Sequence, residues 1–349
     1  MVRLYTCGWE TGDINEWSNA LVSNNSGSYS LESTIVRSPG LYSLHFQTVQ
    51  GGNHLRSFVF NPTAVSEVWI RASVYFSYIG NSDTSFLEVR DATNQRQGYV
   101  SLNSLDGLVR AWNGSTLLGT SSFAIALGGW HTIDVHWLIT SQTSGTVEVW
   151  IDGTQAMLVT GVDNSQQANT GMQSIGLGFS SSSGTQTNHI YYDDIGINDT
   201  TGGTNNARIG DGRVLLLMPN GVGSATNLLR GGTDSGANWS QVNEIPPSTA
   251  QYVYSGVLGT ADSYAVQDIP AGSWQVNSVD VLAFALLSDA TGGALGLTLK
   301  SGPTPYEGPP QTLTTTAQYF RQHVELDPNI NGPWSTAAVN AMEIGTTVR

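Results

Sequence analysis

Residues 129–139 read GWHTIDVHWLI, and residues 146–153 read TVEVWIDG. In each, apolar and polar residues alternate with period two, the mark of a half-buried strand. Ile133, Val135 and Trp137 share one face of the first; Val147, Val149 and Ile151 share one face of the second. Ser141 to Gly145 is a short loop between them, and Asp152-Gly153 is a hairpin turn. The two segments predict adjacent antiparallel strands with one face in a core.

The same alternation recurs at 68–76, 86–90 and 108–112, separated by clusters of Gly, Asn, Asp and Ser. No segment sustains a 3.6-residue apolar face. Gly accounts for 40 of 349 residues, and charged residues for only 11%, against about 25% in average domains. Ten Trp, 13 Tyr and 9 Phe supply a sizeable core. This is the composition of many short strands, so the expected class is all-β, built of β-sandwiches. A closing strand is expected at 191–197, then Thr, Gly and Asn, then a new apolar strand at 214–218. The reading is two domains, 1–199 and 207–349, joined by a linker at 200–206.

The formal net charge is −14, and Lys300 is the only lysine. Such a chain releases few phosphate counterions, so nucleic acid is not an expected partner, nor is an anionic membrane. Cys7 is the only cysteine and excludes an intrachain disulfide. The first residues show no apolar leader, and the expectation is assembly in a cytosol.

Three places in the first 200 residues carry a resemblance to a known family. They are Glu10-x-Gly12-Asp13-x-x-Glu16-Trp17, the Gly129-Trp130-His131 strand with the 147–153 strand after it, and the closing Tyr192-Asp193-Asp194-Ile195. This part resembles the concanavalin A-like jelly-roll superfamily of laminin-G-like, lectin-like and glucanase-like modules. The remainder resembles virion structural proteins of tailed bacteriophages. That likeness rests on Gly210-Asp211-Gly212-Arg213-Val214, Asn243-Glu244-Ile245-Pro246-Pro247, Leu326-Asp327-Pro328-Asn329 and Gly332-Pro333-Trp334-Ser335. Together they imply a jelly-roll sandwich followed by a second, smaller sandwich that serves assembly.

The acids of the stretch WETGDINEW, residues 9–17, suit three roles: catalysis, metal binding or a polar turn. Glycosidases hold two carboxyls across a cleft, and glucanases of the resembled fold mount them at alternate strand positions. Glu10, Asp13 and Glu16 are three apart and fall on opposite faces, so no catalytic residue is assigned. In related jelly rolls a structural Ca2+ ties the first strand to the last. The resemblance thus implies Ca2+ ligands among Glu10, Asp13, Asp193 and Asp194, with Asp193 matching the closing motif. The alternative is a surface turn capped by Asp13, with Asp194 hydrated. His131 and His136 point to opposite strand faces and form no metal pair. Trp112 is a candidate for stacking on a sugar ring, against an ordinary core or interface role.

The resulting expectation is a non-enzymatic structural protein of a tailed-phage particle, located in the virion. Its partners would be other virion proteins, further copies of itself and a host-surface glycan. The second reading is a bacterial carbohydrate-binding module or polysaccharide-degrading enzyme.

Overall fold

The computed structural model describes residues 3–17, 20–24, 27–48, 54–80, 83–139, 144–166, 171–179, 187–233 and 235–349. Most of the expected 141–145 loop lies outside them. The chain divides into two compact units. One comprises Met1–Glu10 and Trp17–Val214, the other Thr11–Glu16 and Leu215–Arg349. Among the described residues no helix is long and apolar enough to cross a membrane.

Among the described residues the first unit holds fifteen strands. They are β1 (Arg3–Cys7), β2 (Ala20–Asn24), β3 (Gly27–Glu32), β4 (Ser43–Thr48), β5 (His54–Val59), β6 (Glu67–Tyr78), β7 (Asp83–Arg90) and β8 (Arg96–Asn103). Then come β9 (Leu108–Asn113), β10 (Thr116–Ala124), β11 (Trp130–Leu138), β12 (Gly145–Ile151), β13 (Thr154–Val162), β14 (Ser174–Phe179) and β15 (Asn188–Asp199). One antiparallel sheet runs β13-β12-β11-β6-β15-β4-β3, with β1 also on β15; the other runs β10-β9-β8-β7-β14-β5-β2. This is the two-sheet sandwich that the alternation predicts, and β11 and β12 pair as neighbours, Val135 opposite Val149.

Period two decides which side chains meet between the sheets. Ile70, Ala72, Val74 and Phe76 of β6 and Ile133, Val135 and Trp137 of β11 are buried from one side. Leu87, Val89, Val100, Leu102, Ile175 and Leu177 are buried from the other. Phe76 meets Phe86 edge-on at 5.2 Å. The Tyr192 hydroxyl crosses the core, donating to the Phe86 carbonyl and accepting from the Gly178 amide at 3.1 Å. Gly98 makes room for Trp137: a Cβ there would lie 2.2 Å from the indole. Truncating so large a buried ring costs about 3–5 kcal/mol.

The second unit is also β. Its strands are β16 (Pro219–Thr226), β17 (Leu229–Gly231), β18 (Tyr252–Tyr254), β19 (Ala261–Val266), β20 (Val279–Ala285), β21 (Ala294–Ser301), β22 (Thr304–Glu307), β23 (Gln311–Thr312), β24 (Gln318–Val324) and β25 (Glu343–Val348). A sheet in the order β16-β19-β25-β21-β22, with β23 on β21, accompanies the ribbons β17-β18 and β20-β24. Among the described residues a 3-10 turn spans Asn238–Gln241 and a short α-helix, α1, spans Thr336–Asn340. Leu297 and Leu299 of the sheet share a core with Val281 and Phe320 of a ribbon and with Trp334 and Met342.

Candidate active site

The outer face of the β7-containing sheet gathers polar side chains of the kinds that carry chemistry. On β7, Leu87 and Val89 point into the core, so Glu88 and Arg90 point outward. Glu88 is fully buried beneath two arginines. Arg90 places Nε and Nη2 each 2.8 Å from its Oε2, and Arg96 Nη1 lies 3.4 Å from Oε1. The tight turn after β7 aims these groups. Asp91 Oδ1 accepts from the Thr93 and Gln95 amides at 2.8 and 2.9 Å, and Asn94 takes a left-handed φ of 60°. On β14 the outward position beside Glu88 is Gly176. A Cβ there would lie 3.2 Å from Arg90 Nε and 3.1 Å from Leu55 Cδ1, so glycine lets Arg90 lie across the sheet.

On β8, Val100 and Leu102 are core, and Tyr99 and Ser101 face outward. The Arg96 guanidinium lies over the Tyr99 ring, 4.5 Å from its centroid. Trp112, the strand partner of Tyr99, stacks beyond it at 6.1 Å and 8°. The indole is anchored by Nε1 donating to Ser101 Oγ at 2.8 Å. Burial raises the Tyr99 hydroxyl above the usual phenol value, partly offset by Arg96. That hydroxyl makes no hydrogen bond among the described residues.

Three of the twelve arginines of an acidic chain stand on this face, Arg90, Arg96 and Arg110. Arg110 is fixed by Asp83 at 2.7 Å and by Asp106. Arg96 has the most exposed side chain of the three, at 26% against 13% and 17%. It is therefore the guanidinium best placed to turn toward an anionic ligand. On the outer face of the other sheet the arginines are spent internally. Arg37 pairs with Asp194 and Asp211, and Arg208 with Asp134 while lying over Trp150.

The residues singled out in the sequence fall in several places. Trp112 belongs to the face just described. Glu10, past the end of β1, accepts from the Leu41 amide at 2.6 Å. β1 pairs with β15, Cys7 opposite Ile195, and this brings Glu10 within electrostatic reach of Asp193. Asp193 is fully buried; its carboxylate accepts the Arg37 and Asp194 amides. Burial first, then Asp194 and Glu10, push it well above the usual carboxylate range. Asp194 sits at a bulge with φ 51°. It is bonded to Arg37, Ser73 and the Val214 amide. Asp13 groups with the second unit and caps a turn, accepting the Asn15 amide at 2.8 Å. Among the described residues no three His, Cys, Asp or Glu side chains gather as a metal group. His131 bonds Asp152 and His136 bonds Glu67.

Of this face only Trp112 stands out in the sequence; Glu88, Arg90, Arg96 and Tyr99 emerge from the structure. The available signal was alternation in 86–90 and 108–112, which places Glu88, Arg90, Arg110 and Trp112 outward in a chain otherwise poor in cations.

A family model described as "Polysaccharide lyase" matches residues 9–196. No curated protein matches. Solved structures similar to this chain include the endo-beta-1,4-glucuronan lyase from the fungus Trichoderma reesei. Its TM-score is 0.42 at 13% identity, covering 56% of this chain and 95% of that one. A second is Cellulose induced protein, Cip1, with a TM-score of 0.45 at 20% identity, covering 60% and 100%. A third is alginate lyase vAL-1 from Chlorella virus, with a TM-score of 0.39 at 10% identity, covering 53% and 93%. These likenesses are too distant to carry residue roles. The family match overturns the expectation of a non-enzymatic virion structural protein. Period-two strands and a turn-rich composition serve capsid parts and enzymes alike, and the loop motifs of 207–349 carry no information about the chemistry of residues 9–196. The second reading, a polysaccharide-degrading enzyme, is the one the match supports.

Proposed function

The chain belongs to the polysaccharide lyase family, and from that premise we propose that it cleaves a uronate-containing polysaccharide by β-elimination on the Tyr99 face. The observation that carries the reading is Tyr99, whose ring lies under the Arg96 guanidinium and whose hydroxyl makes no hydrogen bond among the described residues. Elimination needs a proton removed from the sugar carbon next to a carboxylate, and that proton is made acidic by neutralising the carboxylate. A guanidinium does this with two parallel hydrogen bonds. Arg96 takes that part. Tyr99, as phenolate, receives the C5 proton. The C4–C5 double bond forms, the C4–O bond breaks, and the departing oxygen takes the proton back from Tyr99. No water is consumed. Trp112 supplies a ring against which the neighbouring sugar packs, and Glu88 holds Arg90 and Arg96 in place.

Calcium is proposed only as a structural ion. Its carboxylate ligands would be Glu10 and Asp193, which lie within electrostatic reach of each other, Asp194 being committed to Arg37. Backbone oxygens would complete the shell.

The test is incubation of the purified chain with a panel of polyuronates, following the ultraviolet absorbance of the unsaturated uronate. Activity that disappears in Tyr99→Phe and Arg96→Ala, with unchanged melting, supports the assignment. Full activity in both variants removes it.

A further inference from the structure

The outer face of the opposite sheet carries a second constellation that the proposed reaction does not use. Trp130 of β11, Tyr75 of β6, Tyr191 of β15 and His45 of β4 are successive direct strand partners. Their rings form an unbroken row across four strands. Trp130 and Tyr75 are 5.7 Å apart, Tyr75 and Tyr191 5.7 Å, and Tyr191 and His45 4.2 Å. His189 extends the row, stacking on His45 at 5.2 Å. With strands about 4.8 Å apart, Trp130 to His45 spans about 14 Å, the reach of several sugar rings and not of one.

Ring orientation varies along the row. Tyr191, His45 and His189 are parallel to within 9°, whereas Tyr75 stands at 86° to Tyr191 and Trp130 at 60° to Tyr75. Ring faces and polar edges therefore both line the strip. All but the nearly buried Tyr191 are half-exposed. The strip is also uncharged at neutral pH. Burial and then the neighbouring His189 push His45 down to about 4, burial lowers His189, and burial raises the Tyr191 phenol. Glu32 of the adjacent β3 is the described carboxylate felt by His45 and Tyr191, and Arg37, which reaches Ser73 two residues before Tyr75, is paired with Asp194 and Asp211. Among the described residues no arginine is stacked on these rings.

We infer that this row is a non-catalytic platform for a neutral glycan chain, laid across the strands on the face opposite Tyr99. The chemistry differs from that of the Arg96 face. Uncharged aromatic rings pack against the apolar faces of pyranoses while hydroxyls and ring nitrogens meet sugar hydroxyls, and nothing in the row compensates a polyanion. The inference rests on family membership for its ligand class, and not on the elimination mechanism.

The experiment is affinity electrophoresis of the full chain in gels containing hydroxyethylcellulose, xylan, mannan or a polyuronate, with Tyr99→Phe run beside the wild type. Retardation by at least one neutral polymer is expected, equal in wild type and Tyr99→Phe. Affinity should fall at least tenfold in Tyr75→Ala and in Trp130→Ala, while Tyr75→Phe retains most of it and melting is unchanged in Tyr75→Ala. No retardation by any of the three neutral polymers overturns the inference, as does undiminished retardation of Tyr75→Ala. Self-association lost in Tyr75→Ala without glycan retardation assigns the row to a second copy of the chain instead. Because binding is read without turnover, a failure of the lyase reading shows separately, as absence of unsaturated product.

Discussion

The Arg96 guanidinium lies 4.5 Å from the centroid of the Tyr99 ring, and both side chains stand on the outer face of one strand. A cation over an aromatic face at a partly exposed site contributes about 0.5–1 kcal/mol. That suffices to bias the orientation of Arg96 while leaving its outward edge able to turn to a ligand. The same contact couples the proposed carboxylate binder to the proposed proton carrier.

Replacing Arg96 by Ala is expected to lower kcat/KM on a polyuronate about 10²–10³-fold, the scale seen when a preorganised stabiliser of developing charge is lost. Arg96→Lys keeps the charge but loses the two-pronged geometry and should recover only part of the rate. Initial rates with matched melting curves decide it. Equal rates for the wild type and Ala would exclude the role.

The pH profile has a defined sign. Tyr99 is raised above the ordinary phenol value, mainly by burial, so its phenolate is a minority species at neutral pH that grows as pH increases. If phenolate takes the proton, kcat/KM should climb through the neutral and alkaline range, roughly tenfold per pH unit. A profile that is flat or falls above neutrality speaks against Tyr99 as base.

Trp112 should act on binding rather than on chemistry. Its indole is fixed by Ser101 at 2.8 Å and stacks with Tyr99. Trp112→Ala is expected to raise KM about fivefold, the equivalent of about 1 kcal/mol of ring packing, with kcat changed little. Trp112→Phe should lie near the wild type.

The calcium assignment is tested through stability. Ca2+ binding only the folded state adds about 2.7 kcal/mol at a hundredfold excess over Kd. Melting should therefore rise with Ca2+ and fall with chelator. Asp193→Asn should remove the Ca2+ response and, in chelator, melt above the wild type, because the repulsion from Glu10 and Asp194 is gone. A chelator-insensitive wild type ends the proposal.

In the second unit, burial tends to raise Asp280, but Arg321 and His323 outweigh it and hold its carboxyl at about 2. A depressed carboxylate contributes stability that is complete above its unfolded value, near 4, and lost as pH falls toward 2. Asp280→Ala removes the carboxylate that Arg321 and His323 both contact and should destabilise this unit by about 1–3 kcal/mol. Denaturant melts at pH 7 and pH 2 should show a large gap between variant and wild type at the first and a small one at the second.

The sandwich was legible because period two is written plainly: Ile133, Val135 and Trp137 alternate with polar residues in a way no helix tolerates. The closeness of β1 and β15 was also foreshadowed by the acids at Glu10 and Asp193. The Tyr99 face was not. Its members come from β7, β8 and β9 and converge only through strand register, which alternation leaves open. The tight turn at Asp91–Gln95 and the bare position at Gly176 decide where Arg90 and Arg96 point, and neither leaves a chemical motif in the chain. The stretch at 9–17 was opaque for another reason. Trp9, Glu10 and Trp17 group with the first unit and Thr11–Glu16 with the second, a division that local pattern cannot express.

The most direct test of the central claim is the chemical form of the product. Polyuronate treated with the purified protein should yield chains ending in a C4–C5 unsaturated uronate, one water lighter by mass spectrometry than a hydrolysis product. None should form with Tyr99→Phe. Saturated ends from the wild type, or unsaturated ends formed at the wild-type rate by Tyr99→Phe, would contradict the account.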